Sequence, residues 1–194
     1  MNKATQALPE GYTQSGQIDL KKDKRLTILL NIGALIVFAL SFYLLTALTA
    51  WVRPDIITFS NTITVTNIFS ALGLTILTLL LHEGIHGLFF WIFSRSRPVF
   101  GLRPLYAYAG APNWFFPQRQ FSIIVLAPLV ILGAAGLLLL LLAPISWIFM
   151  IVLLVALNTS GSSGDVFVFF RLLTSFPTSF ANDTGEVVTF FERP

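Results

Sequence analysis

The sequence contains no cysteine, which excludes disulfides, iron–sulfur clusters and thiolate zinc sites together. It is also poor in charge: 11% of its 194 residues are Asp, Glu, Lys or Arg, where a soluble domain carries about 25%. Histidine is scarcer still, with two in the whole chain. What is present is apolar, with 55% hydrophobic residues and a mean hydropathy of +0.80. A chain of this composition reads as an integral membrane protein with room for one bundle of spans, and no repeat at solenoid period is visible. The formal charge of +3 is modest. Its basic residues lie beside apolar runs, which suits lipid headgroups, and no nucleic-acid motif accompanies them.

Residues 1–25 start polar, with Pro9, Gly11 and Gly16 and no periodic apolar face, and the expectation is a flexible tail. The stretch is too long and polar to read as a signal peptide. Lys21, Lys22, Lys24 and Arg25 then precede an uncharged run from Leu26 to Val52, about 27 residues where about 20 cross a bilayer. The positive-inside rule puts this basic cluster, and the N-terminus with it, in the cytoplasm. Arg53 to Thr66 alternates as I-T-F-S-N-T-I-T-V-T, a strand-like external connection, and Asn67 is placed to cap the second span, 68–93. Arg95, Arg97, Arg103 and Arg119 follow with no acidic residue among them, so the loop 98–120 is cytoplasmic by the same rule. Phe100, Leu102, Tyr106 and Tyr108 recur there at strand spacing, and residues 110–113 supply a turn. Such an aromatic hairpin-like loop either anchors at the membrane surface or offers an edge strand to an extended substrate.

From Phe121 to Leu157 runs an uncharged stretch too long for one ordinary span and too short for two. Ala143 and Pro144 divide it, giving spans 121–142 and 145–173. The second of these carries N-T-S-G-S-S-G-D, residues 158–165, at membrane depth. Irregular polar backbone is tolerated there only when buried in protein or lining a wet cavity, so this helix is expected to be broken. The expected fold is therefore all-α. About four transmembrane helices (26–52, 68–93, 121–142, 145–173) form a membrane-embedded domain over 26–176, and 177–194 form a cytoplasmic C-terminal tail.

Both histidines fall in L-H-E-G-I-H-G, residues 81–87 of the second span. On a helix His82 and His86 share one face and can converge on one metal ion, with Glu83 beside the metal's open position. Ionisable groups this deep in an apolar segment are costly without a use. At 1.5 Å rise per residue, the motif and Asp165 lie about 5 Å and about 9 Å to the cytoplasmic side of the midpoints of their spans. Asp165 is also the only acidic residue between Glu83 and Asp183. It is thus the natural third ligand, and it is equally placed to cap the helix that follows it. Glu186, past the membrane by this count, is a weaker alternative ligand.

Three stretches together carry a family resemblance: H-E-G-I-H in the second span, P-Q-R-Q-F-S-I-I-V-L-A-P at the end of the loop, and N-T-S-G-S-S-G-D. They resemble the zincin-type membrane peptidases of unknown function over roughly residues 80–173, and more distantly the site-2 protease family of intramembrane zinc proteases. The resemblance implies His82 and His86 as zinc ligands, Glu83 as the catalytic glutamate, Asp165 as the third ligand, and Asn158 as a residue that stabilises the transition state. Unlike site-2 proteases, the chain has no proline between Asn158 and Asp165 and places glycine before that aspartate. The resulting expectation is one zinc ion per chain in an intramembrane metallopeptidase of a prokaryotic cell membrane, acting on a membrane protein or peptide. Two other classes stand beside it: a structural zinc site, which calls for a fourth protein ligand, and a metal-ion carrier, which calls for more than one polar cluster in the spans.

Overall fold

The computed structural model describes residues 3–54, 65–103 and 106–194. In chain order its elements are β1 (Thr13–Asp19), α1 (Lys24–Val52), α2 (Val65–Ser94), β2 (Val99–Arg103), β3 (Tyr106–Gly110), β4 (Phe116–Pro117), α3 (Gln118–Leu142), α4 (Ile145–Gly161), α5 (Ser163–Ser175), β5 (Phe180–Asp183) and β6 (Val187–Glu192). Among the described residues, four helical stretches are long and apolar enough to cross a membrane: Lys24–Val52, Asn67–Ser94, Gln118–Leu142 and Ile145–Ser175. Leu35, Trp51, Phe69 and Leu142 stand exposed on them, as side chains that face lipid do. The protein is a mostly helical membrane protein. Most of the strand-like connection expected over 53–66 lies outside the described residues. Because α2 begins at Val65, Asn67 sits inside its first turn and not ahead of it.

The chain divides into two compact units. One comprises residues 31–82 and 128–163, and its described residues are nearly all helical. Its core is Leu140, Ile148, Ile151, Val152 and Val155, with Phe42, Leu45 and Ala143 packed against them. Pro144 separates α3 from α4 as its sequence position predicts. The carbonyl left open at Ala143 accepts a hydrogen bond from Arg53 Nη1 at 2.6 Å.

The other unit comprises residues 1–30, 83–127 and 164–194 and contains every described strand. Here the all-α expectation needs correction. The N-terminal segment expected to be a flexible tail and the C-terminal tail join β4 of the loop in an antiparallel sheet of order β1-β6-β5-β4. β6, with its V-V-T-F-F-E sequence, is rich in β-branched and aromatic residues and has a strand's own preference. β1, T-Q-S-G-Q-I-D, has little, and it is ordered by pairing with β6 from Thr13↔Glu192 to Asp19↔Val187 while Ile18 enters the core. That core gathers Phe90, Phe116, Phe121, Ile124, Leu172 and Phe190 from strands and helices alike. The rings of Phe176 and Phe190 stack at 4.4 Å. The hairpin expected in the loop is present as β2 and β3, paired from Val99↔Gly110 to Arg103↔Tyr106.

The break in the fourth span is also narrower than the sequence predicts. Residues 158–165 are helical except at Ser162. Their hydroxyls turn back onto the helix: Thr159 Oγ1 donates to Val155 O at 2.8 Å, Ser162 Oγ to Asn158 O at 2.9 Å and Ser163 Oγ to Ser160 O at 2.7 Å. The polar run is thereby satisfied without unwinding.

Phe190 is fully buried between the sheet and α5. Phe190→Ala is expected to lower stability by about 3–5 kcal/mol, read by denaturant unfolding of the detergent-solubilised protein. A dispensable tail would give no change.

Candidate metal centre

His82 and His86 are both buried, one helical turn apart on α2. Each ring is fixed through its Nδ1. His82 Nδ1 lies 3.1 Å from Asn158 Oδ1, and His86 Nδ1 lies 2.9 Å from Ile124 O. An acceptor at Nδ1 holds the ring proton there and leaves the Nε2 lone pair for a ligand.

The second of these acceptors follows from one residue of α3. Pro128 lies inside that helix and has no N–H, so Ile124 O, four residues earlier, loses its helical donor. His86 Nδ1–H takes the vacant place. Pro128 O in turn accepts from Asn158 Nδ2 at 3.4 Å, which leaves Asn158 Oδ1 directed at His82. A proline in the middle of a span, a liability for the helix, thus supplies a carbonyl to each histidine's supporting hydrogen bonds.

Asp165 stands in the first turn of α5. Its Oδ1 is 3.5 Å from His86 Nε2. Two donors bound to one tetrahedral ion at about 2.0–2.1 Å would be about 3.4 Å apart, so this pair stands at the separation for a shared metal. One ligand atom each from His82, His86 and Asp165 can be chosen so that all lie within 4.8 Å of one another. Two imidazole nitrogens and a carboxylate oxygen are a donor set that suits zinc with one open position.

Glu83, His86 and Asp165 line one cavity of about 230 Å³. Ala107, Tyr108 and Ala109 of β3 form another part of its wall. Two glycines seat the neighbouring hairpins: a Cβ on Gly87 would run into the ring of Phe100, and one on Gly185 into the ring of Tyr108. Gly185 also has φ +85°, a left-handed conformation that glycine adopts without strain.

The same cavity is lined by Asp183 and Glu186, from the turn between β5 and β6. Counting along the chain set Glu186 beyond the membrane and gave Asp183 no role. A hairpin signal was present, since F-A-N-D and V-V-T-F-F-E flank a turn containing Gly185. Burial pushes the Asp183 carboxyl up to about 7. The Gly185 N–H, 2.7 Å from its Oδ1, and His86 oppose that rise, while Asp165 and Glu83 add to it.

A family model described as "Putative zincin peptidase" (DUF3267) matches residues 75–180, the stretch that holds His82, Glu83, His86, Asn158 and Asp165. The chain belongs to this family. No curated protein and no solved structure matches it. In this zincin-type chain the amide of Asn158 is engaged by His82 and Pro128, a position from which it can orient a histidine.

Asn158→Ala and Pro128→Ala are each expected to weaken zinc binding about 10–100-fold, as loss of a ligand's hydrogen-bond partner does. Competitive zinc titration of the purified variants measures this. Unchanged zinc affinity with slower cleavage in Asn158→Ala would instead assign Asn158 to the transition state.

Proposed function

We propose that the chain is an intramembrane zinc metallopeptidase that hydrolyses peptide bonds in or near the bilayer. The observation that carries this reading is the His86–Asp165 pair, 3.5 Å apart and sharing its cavity with Glu83. A zinc ion held by His82, His86 and Asp165 would supply the Lewis acidity that makes water a nucleophile near neutral pH.

The remaining steps belong to the chain's own residues. Asn158 Oδ1 and Ile124 O hold the two imidazoles in the tautomer that presents Nε2. A carboxylate oxygen of Glu83 takes a proton from the attacking water and returns it to the leaving peptide nitrogen. β3 runs along the cavity in a two-stranded sheet; its end at Gly110 is met by the backbone of Thr184 and Gly185, and the rest of its side away from β2 is the edge to which an extended peptide would add. This favours a substrate whose helix has unwound, since an intact transmembrane helix keeps its backbone groups to itself. The basic residues Lys21, Lys22, Lys24 and Arg25, with Arg95, Arg97 and Arg119, favour a cytoplasmic setting for both termini.

Two substitutions separate catalysis from metal binding. Glu83→Gln is expected to keep zinc while losing the 10²–10⁴-fold that a proton-transfer group ordinarily contributes. Asp165→Ala is expected to lose zinc and activity together. Metal analysis beside a peptide-cleavage assay reads both, and cleavage persisting in Glu83→Gln would turn the reading towards a structural zinc site.

Ala107→Pro in β3 introduces a residue without an N–H. It is expected to slow cleavage with zinc content unchanged. Unaltered turnover would leave the hairpin as a membrane-surface anchor.

A further inference from the structure

Two carboxylates on the cavity wall have no part in that mechanism, Asp183 and Glu186. Asp183 is fixed within its own turn. Its Oδ1 accepts the Gly185 N–H at 2.7 Å, and its backbone oxygen accepts the Ala111 N–H at 2.8 Å. Glu186, on the far side of the turn, holds a cation: Lys21 Nζ lies 2.6 Å from its Oε2. Lys21 follows β1 in the connection to α1, and its neighbour Leu20 also lines the cavity. The Lys21 side chain is 52% exposed and that of Glu186 only 24%.

Among the described residues, the cavity lining includes Glu83, Asp165, Asp183 and Glu186 but no lysine or arginine. Ile18, Val125, Phe167 and Val188 make much of the rest apolar. Glu83 and Asp165 are committed to the proposed metal and Asp183 to its own turn, so Glu186 is the carboxylate that decides between side chains here, and it disfavours an acidic one. A basic one meets Glu186. The chain already seats a lysine ammonium on that carboxylate, from the turn that follows β1.

We propose that Glu186 is a specificity residue that receives a lysine or arginine side chain of the peptide substrate, displacing Lys21 as an internal competitor. This rests on the peptidase reading above. Replacing one ammonium by another conserves the ion pair. The cost is the return of Lys21 to water, which is small for a side chain that is already half exposed. A neutral or acidic residue offers no such exchange and leaves Lys21 in place.

Competition has a signature that a structural ion pair lacks. Lys21→Ala and Glu186→Gln break the same pair, so a purely structural role makes both variants change in the same direction. Competition makes them change in opposite directions. The test uses the full-length protein carrying Glu83→Gln to block turnover, and two fluorescent peptides of one extended sequence that differ by Lys or Glu at a single position. Binding is read by anisotropy. The lysine peptide is expected to bind more tightly by several-fold at most, since the exchange conserves the ion pair and the glutamate peptide gains none. Adding Lys21→Ala should widen that preference several-fold, and adding Glu186→Gln should remove it. Equal binding of the two peptides, or a shift of both variants in the same direction, overturns the proposal. Cleavage-site profiling with intact Glu83 then separates the two readings. Sites enriched in Lys or Arg beside the scissile bond support the proposal, and cleavage without that enrichment overturns it while the peptidase stands. No cleavage of any peptide that binds overturns the peptidase reading, and the proposal with it.

Discussion

A polar or ionisable group inside an apolar span is costly unless it is partnered, and most of the arrangement around the two histidines follows from that one constraint. His86 finds its partner in a carbonyl that Pro128 has released from the helix ladder, and His82 in the amide of Asn158. Asn158 is itself held by Pro128 O. The hydroxyls of Thr159, Ser160, Ser162 and Ser163 bond backward to their own helix. Each pairing removes a desolvation penalty and at the same time fixes a ring or a turn. A site that must keep two imidazole lone pairs available has its tautomers chosen by the same bonds that make burial tolerable.

How much of this is legible in the sequence depends on how far apart the cooperating residues lie. The histidine motif is legible because one helix carries it, and helical spacing is local. Asp165 is legible through scarcity, since no other carboxylate occurs between Glu83 and Asp183. The partners of the histidines are not: they lie 76 and 38 residues away, on other helices, and nothing local marks a particular carbonyl as released until the proline is matched to its i−4 position. The sheet is hidden for a related reason. The β1 segment has almost no strand preference, and its partner β6 is at the other end of the chain. Its order comes from pairing and from the burial of Ile18, which tertiary context alone supplies. The unwound stretch expected over 158–165 shrinks to Ser162 because serine and threonine can satisfy themselves on their own helix.

A helical bundle by itself has a limitation as a peptidase: its backbone hydrogen bonds are internal, so it has no main-chain edge to offer an extended substrate. Strands supply one. In the unit formed by residues 1–30, 83–127 and 164–194, the cavity that holds Glu83, His86 and Asp165 is walled on one side by β3 and on another by the turn between β5 and β6. On the proposed reading, recognition and chemistry are carried by different elements, with the candidate ligands and base on α2 and α5 and the candidate substrate-facing groups on hairpins. The hairpins are seated by contacts of their own, Phe100 on Gly87 and Tyr108 on Gly185.

That division has a physical consequence for how the site tolerates change. The candidate ligands His82, His86 and Asp165 each sit on a helix, and both histidines are held by a hydrogen bond to another helix, so any loosening would act directly on the donor geometry. Asp183 instead ends β5 and Glu186 lies in the short connection to β6, which is closed by the Gly185 N–H bond to Asp183 Oδ1 and by the bond from Val187 N–H to Thr184 Oγ1. A turn defined by its backbone conformation keeps that conformation when a flanking side chain is exchanged, provided that Gly185 with its left-handed φ is retained. The charge presented to the cavity can then be altered at Glu186 while Nε2 of His86 and Oδ1 of Asp165 stay where they are. If the proposed reading holds, substrate preference and metal chemistry are separable properties of a single small cavity.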